Sequence, residues 1–133
     1  MSKEIKFRAF IKKLKWMVPV VMIDFTYNTV EVDLSYGNGD TSEYDFDEVE
    51  LMQYTGLKGK RGLKEIYEGD IMRNVKNGRI ATVQWHGTMA GFVLSNLKEK
   101  SQATREWGEL FRIYDKYEII GNIHENLELL VQE

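Results

Sequence analysis

Apolar and polar side chains alternate with a period of two over much of this chain, the pattern of strands that bury one face. The stretch TVEVDLSY, residues 29–36, is the clearest case, setting Val30, Val32, Leu34 and Tyr36 against Glu31, Asp33 and Ser35. Ile5 to Phe10 alternates apolar side chains with Lys6 and Arg8. A polar turn at Lys12 to Lys15 leads into Trp16–Val18 and then Val21 to Phe25. Gly37-Asn38-Gly39-Asp40 follows as a turn, because Gly and Asn tolerate the positive φ that tight turns require. Glu48 to Tyr54 reads as a further strand, entering a glycine-rich block. Asn77-Gly78 then joins two β-rich runs, 71–75 and 79–85, as a hairpin. Gly91 to Leu94 is the next strand of this meander, and 114–123 closes the domain. Residues 96–112 have helical composition but poor apolar periodicity, so the stretch is a short helix or an exposed loop. Residues 126–131 suit a final helical turn.

The pattern predicts a mainly-β fold with minor α content. Within a single domain, residues 1–50 form an N-terminal antiparallel sheet packed on a small, strongly bent, SH3-like or OB-like barrel of residues 51–133. The length of 133 residues suffices for a real core, and 43% apolar with 29% charged residues is ordinary for a globular chain. The absence of cysteine excludes disulfides, thiolate metal sites and a cysteine nucleophile, and fits a reducing cytoplasm. The most apolar window, 16–25, is too short to span a bilayer and is broken by Pro19, so no membrane association is expected. The N-terminus lacks the apolar run of a signal peptide.

The net charge of −3 conceals a strong alternation. Residues 24–50 hold nine acids and no Lys or Arg, whereas 51–79 hold seven bases against three acids. Residues 1–23 are basic as well, with six bases and one acid. One consequence is self-association, the acidic block of one copy meeting the basic block of a neighbour in a heterologous contact. Another is a nucleic-acid surface at Lys58, Lys60, Arg61 and Lys64, widened by Arg73, with Tyr54 and Tyr67 nearby to stack on bases. The acidic overall balance weighs against that second reading.

The remaining candidates are weaker as chemistry. Gly56, Gly59 and Gly62 do not make a phosphate loop, because no Lys-Ser/Thr pair follows and no helix is entered. His86 and His124 lack triad, zincin or comparable spacing. Asp45, Asp47, Glu48 and Glu50 could hold a hard cation or simply face solvent. Asp70, after Gly69 at a strand entry, fits an acceptor for turn amides. Trp16 and Trp85 are expected core or interface anchors, and Trp107, in a polar stretch, an exposed partner contact. No catalytic residue, metal ligand or cofactor site emerges, which points to a non-catalytic protein-interaction or oligomerising module.

Three blocks resemble the YopX family. IKFRAF at 5–10, with Met17, is similar to an N-terminal FRAW…M pattern. LMQYTGLKGKRGLKEIYEGDI at 51–71 resembles the family's central LMQYTGLKD…EIYEGDI block, and IIGNIHENLELL at 119–130 resembles IGNIYENPELL. Phe10, Gly59, His124 and Leu127 depart from the pattern, and the loop before Glu65 is one residue longer. The resemblance implies a mainly-β protein of phage or prophage origin acting in the bacterial cytoplasm with phage or host proteins. It supplies no catalytic residues, and His124, where the family has Tyr, speaks against a histidine catalyst.

Overall fold

The computed structural model describes residues 4–35, 37–59, 64–95 and 114–130. The chain is mainly β, in antiparallel sheets, and divides into two compact units between Tyr54 and Thr55. The expected segment 96–112 and Trp107 lie outside the described residues.

The first unit holds β1 (Phe7–Ile11), β2 (Trp16–Asp24), β3 (Thr29–Asp33), β4 (Thr41–Asp45) and the start of β5 (Val49–Lys58), in the order β4-β3-β2-β1-β5. One face of these strands supplies its core: Ala9, Ile11, Val18, Val30, Val32 and Val49, with Val20, Ile23, Leu34, Tyr44, Phe46 and Leu51 packed around them. The two outer strands, β4 and β5, are joined only by a 3-10 turn at Phe46–Glu48. In a flat five-stranded sheet those edges would be about 19 Å apart. A 3-10 link of this length rises only about 8 Å. The sheet must therefore roll over its apolar face, and the alternation of Val30 and Val32 with Glu31 decides which face that is.

Trp16–Val18 and Val21–Phe25 prove to be parts of one strand. Pro19 is tolerated because the register with β3 begins only at Val20, and a bulge between Val20 and Met22 follows immediately. Strand β4, whose apolar content is too low to read as a strand from the sequence, forms because its backbone pairs with β3 from Thr29↔Asp45 to Asp33↔Thr41.

The second unit contains the end of β5, β6 (Glu65–Tyr67), β7 (Asp70–Asn74), β8 (Ile80–His86), β9 (Gly91–Ser95) and β10 (Tyr117–Asn122). Its four-stranded sheet has the order β10-β7-β8-β9. The core is Ile66, Met72, Ala81, Val83, Leu94 and Tyr117. The opposite face is buried too, at Ile71, Thr82, Val93 and Ser95. Thr82 donates to the Ser95 carbonyl at 3.2 Å and accepts from Gln84 at 2.7 Å, which satisfies its hydroxyl there. Closure into an SH3-like barrel is not detected among the described residues, because β6 lies beside β5 rather than in this sheet. Two further 3-10 turns, Tyr114–Lys116 and Leu127–Leu130, precede and follow β10. Among the described residues, no helix is long and apolar enough to cross a membrane.

The predicted Asn-Gly hairpin joins β7 to β8. Asn74 and Arg79 close it through a backbone bond of 2.8 Å, and Gly78 sits at φ 75°. The Asn74 side chain accepts the amides of Lys76 and Asn77. Gly78→Ala is expected to cost about 1 kcal/mol, because a Cβ is strained at positive φ. Gly87→Ala, where a Cβ meets open space, should cost nothing measurable. Urea denaturation of the two variants distinguishes these outcomes.

Candidate functional site

The polar residues that look most like chemistry are occupied at strand ends. Asp70 is 2% exposed, and its Oδ2 accepts the Tyr67 amide at 2.8 Å. Gly69, at φ 89°, makes the reversal between β6 and β7 possible. Its N–H donates to the Val83 carbonyl at 2.8 Å, and its own carbonyl accepts from Ile123 at 2.9 Å. The YEGD turn is thus tied to β8 and to the end of β10 at one residue.

The GNIHEN segment at 121–126 completes this joint. Asn122 pairs with Asp70 in the β10–β7 register. Its Oδ1 accepts the amides of His124 at 3.0 Å and Glu125 at 2.9 Å, while its Nδ2 donates to Glu125 Oε1 at 2.8 Å. Asn126 closes the turn, donating its amide to the Asn122 carbonyl at 2.9 Å and accepting the Asn122 amide at 3.2 Å on its side chain. A Cβ at Gly121 would stand 2.6 Å from Asn126 Oδ1, so glycine is required for Asn126 to reach its place. These two stretches are the most distinctive in the sequence, and their distinctive residues meet as scaffold.

His86 likewise acts locally, its Nδ1 accepting the Met89 amide at 3.1 Å across the β8–β9 turn. The acidic group is brought together in part: the ligand atoms of Asp45, Asp47 and Glu48 lie within 4.8 Å of one another. A reciprocal capping box between Asp45 and Glu48 accounts for two of them, with the Asp45 amide donating to Glu48 Oε1 at 2.8 Å. The Lys12 ammonium supplies a cation beside them, donating to the Asp47 carbonyl at 2.9 Å and standing 3.6 Å from Glu50.

The basic candidates are dispersed in environment. Lys58 and Lys64 are exposed, at the ends of a loop bridged by the Gly59 amide and Lys64 carbonyl at 2.6 Å. Arg73 is paired with Glu118 at 3.2 Å. Lys60 and Arg61 lie outside the described residues, as does Trp107. Tyr54 is 3% exposed and buried rather than offered to a base, with Lys6 5.8 Å from its ring centroid.

Several large apolar side chains are exposed as well. Val21 and Met22 at the β2 bulge are 54% and 55% exposed, and Phe25 and Tyr27 in the following turn are each 77% exposed. Phe25 makes one edge-on contact with Phe46 at 6.1 Å. Asp24 holds the turn by accepting the amides of Thr26 and Tyr27. Trp85 is half exposed, in edge contact with Phe92 at 5.2 Å. Sequence reasoning passed over the β2 patch because an apolar run on a central strand reads as core. Only the bulge reveals that Val21 and Met22 share the outer side.

A family model described as YopX protein matches residues 6–131. Among solved structures, the chain is similar to the crystal structure of protein EF1440 from Enterococcus faecalis. The likeness has a TM-score of 0.61 and 26% identity, covering 97% of this chain and 99% of that one. No curated protein matches.

Asn122→Ala is expected to destabilise the protein by about 2–3 kcal/mol, since three side-chain hydrogen bonds are lost and turn amides are left without acceptors. Urea denaturation measures this. A loss below about 0.5 kcal/mol would mean that the GNIHEN turn is not scaffold.

Proposed function

The chain belongs to the YopX family, and we propose that it is a non-catalytic module that works by binding protein, another copy of itself or a different chain. The observation that supports this is the exposed apolar group Val21, Met22, Phe25 and Tyr27 beside the acidic segment 24–50. Large apolar side chains left exposed this close together in the chain are a feature of protein-contact sites. The polar groups that an enzyme would need are engaged in turns instead: Asp70 with Tyr67, Asn122 with Glu125, His86 with Met89. A phage or prophage context, in the bacterial cytoplasm, accords with the family resemblance.

A small-barrel nucleic-acid protein is the alternative, favoured by the exposure of Lys58 and Lys64. It is weakened by the Arg73–Glu118 pair and by the burial of Tyr54.

Two measurements separate these readings. Where the partner is another copy, sedimentation velocity shows a mass that rises with protein concentration, the rise being reduced by Met22→Ser with Tyr27→Ser. A salt-insensitive monomer at high concentration would remove self-association. Anisotropy with labelled DNA and RNA should show no steeply salt-dependent binding. Such binding, lost in Lys58→Ala with Lys64→Ala, would replace the protein-binding reading with the nucleic-acid one.

A further inference from the structure

The outer face of β2, β3 and β4 carries an arrangement that the fold does not need. Val30 and Val32 point into the core, so Glu31 between them stands on the opposite face. Glu31 pairs in register with Glu43 on β4 and with Met22 on β2. Two glutamates therefore face each other directly across neighbouring strands. Like charges so placed oppose folding. Among the described residues no cation answers either of them, and Glu31 Oε1 receives only the neutral Thr41 hydroxyl, at 2.7 Å. The bulge sets both Val21 and Met22 opposite Glu31, each more than half exposed. Strand β4 ends the sheet order, so the carboxylate end of this row is not followed by another strand.

We propose that this face docks a basic segment of a different protein, with Lys or Arg side chains over Glu31 and Glu43 and an aliphatic side chain against Val21 and Met22. The proposal rests on the protein-binding reading above and names the chemistry of the partner. Charge complementarity selects a cationic occupant, since residues 24–50 contain nine acids and no base. The apolar flank selects a peptide segment over a hydrated metal ion, which would gain nothing from Val21 or Met22. A different protein is favoured over a second copy because this chain carries a net charge of −3, so two copies repel overall whereas a basic partner is attracted. Among the described cations, Lys12 already stands against Asp47 and Glu50, and Arg73 against Glu118. A bound cation would also relieve a repulsion present in the free protein, so this face exchanges stability for recognition.

The test uses the full chain and a fluorescein-labelled peptide in which Lys alternates with Leu and Ser, followed by anisotropy at low and moderate salt. Binding is expected to fall about tenfold in Glu31→Gln with Glu43→Gln, and by less than about twofold in the charge-matched Asp115→Asn with Glu128→Gln. Replacing Leu by Ser throughout the peptide should also weaken binding. Glu43→Gln alone should raise Tm by about 1–4 °C while weakening binding, which excludes misfolding as the cause. Absence of peptide binding, or equal loss in both variant pairs, would overturn the proposal. So would sedimentation showing that the Glu31 and Glu43 variants dissociate an oligomer that the peptide does not displace. In that last case the occupant is a second copy, and the protein-binding reading survives without this proposal.

Discussion

Short antiparallel strands impose one constraint on everything else here: at each strand end, backbone N–H groups leave the ladder and need another acceptor. Side chains supply many of them. Asp24 serves the turn after β2, Asp33 that after β3, Asp70 that between β6 and β7, Asn74 the β7–β8 hairpin, and Asn122 the turn after β10. Each is a short side chain whose oxygen reaches an amide two to four residues away, the reach typical of Asx-type turns. The same oxygens would be the obvious candidates for acid–base chemistry or metal binding, and their engagement is why the chain reads as scaffold plus surface.

The Gly69 joint shows how far this goes. One residue supplies a positive φ, a donor to β8 and an acceptor for the end of β10. Asp70 and Asn122, paired in register beside it, hold the flanking turns. Gly121 is then fixed by the nearness of Asn126. Parts of the two motifs that most strongly mark the family, Tyr67–Asp70 and Gly121–Asn126, are thus one structural feature of the second unit.

Much of this was legible beforehand. The alternation in 29–33, the Asn-Gly hairpin and the structural role of Asp70 follow from local rules, and the structure bears them out. The mainly-β class follows from the same rules. What escaped was set by non-local pairing. Strand β4 is too polar to announce itself and exists through its register with β3. Pro19 divides β2 in the sequence but not in space. Barrel closure was expected from strand spacing alone, which cannot reveal that β6 joins β5. The outer-face row of Met22, Glu31 and Glu43 joins residues from three strands, and only register and a bulge bring them together.

The surface follows from the same constraint. Among the described residues, Glu31 and Glu43 face each other on neighbouring strands with no cation beside them, and Val21 and Met22 at the β2 bulge are more than half exposed. Amide hydrogen exchange followed by NMR tests the central claim most directly. The amides of Ser35, Tyr67 and Glu125, held by side-chain oxygens, should exchange about a hundredfold more slowly than unstructured peptide. Exchange of all three at free-peptide rates would show that these carboxylate and amide oxygens are not engaged, and would return them to candidacy as a chemical site.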